Sequence, residues 1–489
     1  MIWALVIVPA VLGLQSFVTR SNGWRRILLI AGAASHSVLT LLAWRRLPAP
    51  AWGGWLELDA VGLLFLSVTS VLFLAAACYA SGYLSRERET VSDFEEGLLF
   101  KNQPEAVFTG CLLLFLSAMT LVCLSRHMGV LWVAVEGTTL CSAPLIYFHR
   151  HHRSLEAAWK YLMICSVGIA LALLGNFFLA VAFGAGGRTA SLALSVLTHA
   201  DAAPHLVWLK LAFIFLLVGY GTKMGLAPMH TWLPDAHSEA PSVVSALLSG
   251  AVLNCAFLGI LRVWQVLVAA GHTEFARPLL VGFGLVSMAV AAVFILGQTD
   301  YKRMLAYSSV EHVGILALGL GLGGAAVFGA LLHAVNHSLT KAMLFLVAGG
   351  ILAAYRTKNC SGVKGLARAM PVTGALWMAG FLSITGTPPF GVFVSKFMIL
   401  REAFLGGHAW VGVAALAILA LIFVGFTLVV LRMTQGEAPE GGRDTFREAA
   451  WAVVPPAALA AGVLALGLWI PSWLERVLAQ AAQTLGGGL

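Results

Sequence analysis

The stretch Val218-Gly-Tyr-Gly-Thr-Lys223-Met-Gly-Leu-Ala-Pro228 interrupts an apolar run that reaches back to residue 205. Proline removes an intrahelical hydrogen bond and clashes with the preceding turn, while glycine lowers the cost of unwinding. A second apolar run, 371–404, is broken in the same way by Gly386-Thr-Pro388-Pro389 followed by Phe390-Gly391. Lys223 lies beside the first break, and Lys396 follows the second by about two helical turns. An ordinary proline kink is the alternative for either run alone. Two broken spans, each with its own lysine, fit instead a transport site built from inverted repeats.

The rest of the chain supplies the setting. Of 489 residues 60% are hydrophobic and 11% charged, against roughly 25% charged in soluble domains. Apolar stretches bounded by charges, Pro and Gly give about fourteen spans, each able to cross roughly 30 Å of hydrocarbon as a helix. Their expected limits are 2–18, 27–44, 59–84, 107–125, 127–148, 157–183, 205–229, 241–270, 278–297, 304–321, 325–354, 371–404, 409–432 and 449–472. The first lacks a basic stretch before it and a small-residue cleavage pattern, so a retained helix is expected rather than a signal peptide. Lys and Arg concentrate in alternate loops, including Arg20, Arg25, Arg26, Arg150, Arg153, Arg356, Lys358 and Arg432. The positive-inside rule then places both termini outside. The loop 85–105, with its acidic run Asp93, Glu95 and Glu96, reads as a solvated surface that touches a neighbour.

Several function classes drop out. The seven cysteines (78, 111, 123, 141, 165, 255 and 360) are scattered singly and form no CxxC pair, which argues against iron–sulfur, zinc or disulfide frameworks on this chain. The +8 formal charge follows from topology, and no basic stripe interleaved with aromatics points to nucleic acid. No phosphate-binding glycine loop follows a strand, so an ATP-driven transporter is not expected.

Intramembrane charges cost at least about 2.5–3.5 kcal/mol on the insertion scale and need a reason. Glu136 lies mid-span in Trp132-Val-Ala-Val-Glu136-Gly-Thr-Thr139. It either holds helices together by one ion pair or sets the proton affinity of a nearby lysine, for which Lys223 is the natural partner. Snorkelling to the membrane face suits Lys160, Lys210 and Lys302 better than Lys223. His333, His337 and Lys341 are spaced i, i+4, i+8 and share one helical face as a candidate proton relay. Two such histidines also suit zinc, but no third ligand accompanies them and a lysine on the same face repels a cation. Glu311 and His312, in Tyr307-Ser-Ser-Val-Glu-His312, add a titratable pair, and the cluster 149–153 reads as an interfacial loop.

Together these strings carry a resemblance. The run from Lys223 through His-Thr-Trp-Leu-Pro-Asp-Ala-His-Ser-Glu-Ala to Pro241, with Glu136, His333-x3-His337-x3-Lys341 and Lys396, resembles the antiporter-like subunits of respiratory complex I and their relatives. The wording Gly-Thr-Lys-Met-Gly-Leu-Ala-Pro and Tyr-Ser-Ser-Val-Glu-His-Val-Gly is most similar to the hydrogenase-4 component F type.

The resemblance implies an all-α integral membrane protein of about fourteen transmembrane helices with discontinuous helices seven and twelve. Residues 1–106 would hold the first three helices, 107–270 and 278–432 two inverted five-helix repeats, and 449–489 the fourteenth helix and tail. Glu136 becomes the modulating carboxylate, Lys223 the central lysine, His333, His337 and Lys341 the connecting relay, and Lys396 the residue facing the outer half-channel. Relatives commonly carry Lys or His where Val252-Leu-Asn-Cys255 offers Asn254. An asparagine hydrogen-bonds a water chain but holds no proton at neutral pH. Glu311 stands where relatives often have a neutral residue and reads as an added site. The chain also lacks the long lateral helix of the largest type, so another type is expected.

The expected function is therefore proton translocation in a membrane-bound redox complex of hydrogenase-4 or NADH dehydrogenase type. Alternatives are a multisubunit sodium/proton antiporter, a proton-coupled inorganic-carbon uptake complex, or a scaffold with a dead proton path. No cofactor is expected on this chain. Iron–sulfur and nickel–iron centres belong to partners, namely further membrane subunits and a peripheral redox arm, in a bacterial plasma membrane.

Overall fold

A computed structural model describes residues 1–87, 90–92, 99–184, 190–199, 204–437 and 448–488. The chain begins with α1 (Ile2–Val18), α2 (Asn22–Arg45), α3 (Ala60–Arg86), α4 (Glu105–Leu124), α5 (Met128–Ile146) and α6 (His152–Ala182). The seventh span is split into α7 (Leu206–Met224) and α8 (Trp232–Glu239). There follow α9 (Ser242–Ala269), α10 (Ala276–Ile295), α11 (Tyr301–Leu322) and α12 (Ala325–Tyr355). The twelfth span is split into α13 (Pro371–Thr385) and α14 (Gly391–Leu405), after which come α15 (Ala409–Thr434), α16 (Ala450–Leu468) and α17 (Ser472–Thr484).

Twelve of these helices are long and apolar enough to cross a membrane, and the shorter apolar helices α1 and α13 bring the spans to fourteen among the described residues. α1 is part of the bundle: Ser117 Oγ on α4 donates to Val6 O at 2.8 Å. Three details depart from the sequence expectation. The seventh span continues to Glu239 rather than stopping near 229, because α8 is too polar for hydropathy to extend the run. A two-stranded antiparallel hairpin, β1 (Thr90–Ser92) with β2 (Leu99–Lys101), interrupts the all-helical chain. α17 is a helix where only a tail was expected, burying Leu474, Leu478, Ala481 and Ala482 along one stripe. The acidic run 93–96 lies outside the described residues.

Both breaks are built alike. α7 ends on Gly225 (φ 86°), whose N–H donates to Thr222 O at 3.2 Å while Leu226 N–H donates to Gly221 O at 2.9 Å. α13 ends on Gly386 (φ 83°), with Gly386 N–H to Ser383 O at 3.0 Å and Thr387 N–H to Leu382 O at 2.8 Å. This paired bonding around a left-handed residue is the Schellman motif, and glycine enters it without steric cost. Pro228 lies in the connection from α7 to α8, and Pro388 and Pro389 in that from α13 to α14. Each break is tied to a neighbouring helix, the first in its connection and the second at the start of α14. Ala227 N–H donates to Ser287 Oγ on α10 at 2.9 Å, and Asn336 Nδ2 on α12 donates to Gly391 O at 3.0 Å.

At the membrane face where α3 begins, Asp59 caps that helix by accepting from Gly62 N–H at 2.8 Å. Its carboxylate also takes a bidentate pair from buried Arg262 on α9 (2.6 and 2.8 Å) and a third bond from Arg126 at 2.9 Å. Burial alone would push this carboxyl up, but the two guanidiniums and the cap hold it at about 2. The pair's contribution is full above the ordinary value of 3.8 and is lost as pH falls toward about 2. Asp59→Asn is expected to cost about 3–5 kcal/mol, because it leaves Arg262 buried without its anion. Thermal unfolding in detergent between pH 7 and 2 checks both. A variant as stable as the parent, or with an unchanged acid limb, would refute the assignment.

Candidate functional site

The site consists of polar side chains at the two breaks and along the helices between them. In the first half, Glu136 on α5 is half-buried at the side of the bundle, next to exposed Val133 and Leu140. Its carboxylate accepts from Ser166 Oγ on α6 at 2.9 Å and from Thr139 Oγ1 at 3.2 Å. Lys223, fully buried in the last turn of α7, donates to that same Thr139 hydroxyl at 2.9 Å and to Tyr161 OH at 2.5 Å. The structure brings Glu136 and Lys223, paired from the sequence, to the two sides of one hydroxyl. Among the described residues they form no ion pair, and Thr139 stands between them, accepting from the ammonium and donating to the carboxylate. The lysine also lies over the Tyr161 ring, 4.4 Å from its centroid, and Tyr161 OH meets Ser142 Oγ at 2.6 Å.

In the middle, α9 carries one π-helical turn, Leu248–Val252, a local widening that recurs at functional sites. Ser249 Oγ there meets Ser309 Oγ of α11 at 2.8 Å. Asn254 donates its amide to Gly250 O (3.1 Å) and to Ser338 Oγ on α12 (2.7 Å). Lys341, buried on α12, donates to Leu305 O and Ser308 Oγ of α11.

In the second half, His312 Nδ1 and His333 Nε2 are 2.8 Å apart, and His333 Nδ1 meets Ser395 Oγ on α14 at 2.9 Å. His337 stacks on His312 with centroids 4.8 Å apart, and among the described residues neither of its ring nitrogens has a protein hydrogen-bond partner. Glu311 pairs directly with Lys396 at 2.8 Å and lies 3.9 Å from His312 Nε2. Lys396 reaches back across its break to donate to Ile384 O at 3.2 Å, while at the other break Trp232 Nε1 donates to Thr222 O at 2.9 Å.

The structure thus draws His333, His337, Glu311, His312 and Lys396 into one cluster, with Lys341 a turn away and Glu136 with Lys223 in a second cluster. Sequence reasoning missed the hydroxyls that connect these charges: Thr139, Tyr161, Ser142, Ser166 and Ser395. Thr139 stood in a quoted string, but nothing local marks a hydroxyl as a bridge. His312 and His333 meet edge to edge through their ring nitrogens, and among the described residues no group of three or more His, Cys, Asp or Glu is placed to hold a metal.

A cavity of about 150 Å³ opens on the face reached by the ends of α3, α5 and α8, lined among others by Glu87, His149, Glu239, Lys302 and Lys358. Lys302 does not snorkel as expected. It is buried and donates to Ser238 O (3.1 Å) and Ala240 O (2.7 Å), so those carbonyls take the place of water. Lys358 pairs with Glu239 at 2.8 Å. Burial, with nearby cations, pushes His149 down to about 3, and burial raises Glu87.

A family model described as NADH:quinone oxidoreductase/Mrp antiporter, TM, matches residues 125–422. The chain belongs to this antiporter family. It is 36% identical over 402 residues to a hydrogenase-4 component F homolog of Methylacidiphilum infernorum, covering 81% of this chain and 82% of that one. With NADH-quinone oxidoreductase subunit N of Desulforudis audaxviator it shares 31% over 447 residues, 88% of this chain and 85% of the other. Its fold matches a chain of the membrane-bound sulfane sulfur reductase, an archaeal respiratory membrane complex, with TM-score 0.86 at 21% identity, covering 99% and 98% of the two chains. This family member is an antiporter-like, multi-pass integral membrane subunit.

In it, Thr139 is the one hydroxyl joining Glu136 to Lys223 in the first half, among the described residues. Thr139→Val keeps the shape and removes the bridge. It is expected to slow proton transport about tenfold, the equivalent of about 1.4 kcal/mol, with assembly unchanged. Transport at the parent rate in membrane vesicles would refute a bridging role.

Proposed function

We propose that this chain is the proton-translocating subunit of a membrane-bound redox complex of hydrogenase-4 or NADH dehydrogenase type. The observation that carries this reading is the pair of buried lysines, Lys223 and Lys396, each held at a mid-membrane helix break with a carboxylate within one hydroxyl or one hydrogen bond. A lysine so placed gains or loses a proton when its carboxylate partner moves or is neutralised. Glu136 modulates Lys223 through Thr139, and Glu311 modulates Lys396 directly. His312, His333, His337 and Lys341 form the connecting relay, with Asn254 and Ser338 as hydrogen-bonding members that hold no proton. The groups are mostly nitrogen bases, which suit protons better than a hard cation seeking oxygen ligands.

Residues 107–270 and 278–432 are the two inverted repeats in this reading, and the matching glycine-ended breaks support it. Loop basicity supports termini outside a bacterial plasma membrane. Electron transfer belongs to partners holding iron–sulfur and nickel–iron centres. The test is to purify the native complex and assay nickel, iron and hydrogen- or quinone-linked proton transport in vesicles. Metal and coupled turnover are expected. A complex without either, but exchanging sodium for protons, would replace this reading with the multisubunit antiporter.

A further inference from the structure

His237, on α8, lies between the cavity of Glu87 and Lys358 and the buried relay. It is fully buried, and among the described residues neither of its ring nitrogens meets a protein hydrogen-bond partner. A buried polar atom left unsatisfied destabilises the fold, and natural proteins meet such atoms with internal water. On one side the imidazole stacks on Phe345 at 5.0 Å between centroids, and Lys341 Nζ lies 5.9 Å from the centroid of that same phenyl ring. On the other side the next residues, Ser238 and Glu239, line the cavity. Ser242, also on its wall, has a buried hydroxyl without a hydrogen-bond partner among the described residues. Two orphaned polar groups therefore lead from the cavity toward Lys341. Asn254, the polar group approaching α12 from α9, has its amide committed to Gly250 and Ser338 and exchanges no proton.

We propose that His237 is the hydrated proton-transfer step linking the Glu87–Glu239–Lys358 cavity to Lys341, and so the intake of the relay. The inference rests on the proton-translocating reading above. Lys302 and Lys341 are the cations flanking this step, and both are held by backbone carbonyls, which leaves the imidazole as the exchangeable base between them.

Two measurements on the native complex in membranes test it. In the first, His237→Cys is treated with a small membrane-impermeant methanethiosulfonate and read by peptide mass spectrometry. Modification from the side that labels Arg356→Cys, well above the level at buried Cys123, is expected. Modification no greater than at Cys123 would overturn the hydrated path. In the second, His237→Gln, which keeps hydrogen bonding without the exchangeable base, should lower transport per assembled complex about a hundredfold. Transport at the parent rate would overturn the role of His237. Lys396→Ala in the same vesicles separates the two levels of argument. If it too transports normally, the proton reading itself fails; if it is inactive while His237→Gln is active, only the intake assignment falls.

Discussion

Lys396→Ala is expected to abolish coupled proton transport and, taken alone, to destabilise the protein by on the order of 3–5 kcal/mol. The stability loss arises because Glu311, 1% exposed and paired at 2.8 Å, is left as a buried carboxylate without its cation. Adding Glu311→Ala should restore most of that stability, because a neutral pair carries no unpaired charge. It should not restore transport, because the proton site is gone. Vesicle acidification reports the first quantity and thermal unfolding in detergent the second. A double variant that transports would show that Lys396 is structural. A single variant as stable as the parent would show that the pair is not the buried contact the geometry describes.

Lys223→Met is expected to abolish transport with a much smaller change in stability, about 1 kcal/mol or less. Its partners are hydroxyls rather than a carboxylate, and they have other bonds to fall back on: Thr139 with Glu136, and Tyr161 with Ser142. The two lysines occupy similar breaks yet should respond differently to neutralisation. Equal stability losses in Lys223→Met and Lys396→Ala would contradict the difference in their surroundings. Normal transport in Lys223→Met would remove the first half from the proton route.

The fourteen spans, both breaks and the buried charges at and between them were legible in the sequence, because each is a local signal. Apolar length marks a span, Gly and Pro mark a break, and a lone charge within a span marks function. Pairing across helices was not legible. The Thr139 hydroxyl that joins Glu136 to Lys223 went unmarked, and Glu311 was an optional extra when it is the partner of Lys396. Such choices depend on helix rotation and on a π turn in α9 that shifts the register of Ser249 and Asn254, and no local pattern encodes either. Lys302 was read as a surface lysine because it stands at a helix start; the carbonyls of Ser238 and Ala240 that bury it come from 64 and 62 residues away in the chain. His237 sat inside a quoted string without drawing notice, since a histidine in a polar stretch looks ordinary until its neighbours prove apolar.

The glycine-ended breaks carry a further consequence. A helix that stops in mid-membrane presents the negative end of its macrodipole there, equivalent to about half an elementary charge, and low dielectric weakens the screening that would quench it near water. α7 ends within two residues of Lys223, and α13 ends where Lys396 donates to Ile384 O. Part of the potential at each ammonium is thus written in backbone and cannot be removed by changing a side chain. Neutralising Glu136 or Glu311 should therefore weaken the switching of the lysines more than it weakens their charge at rest.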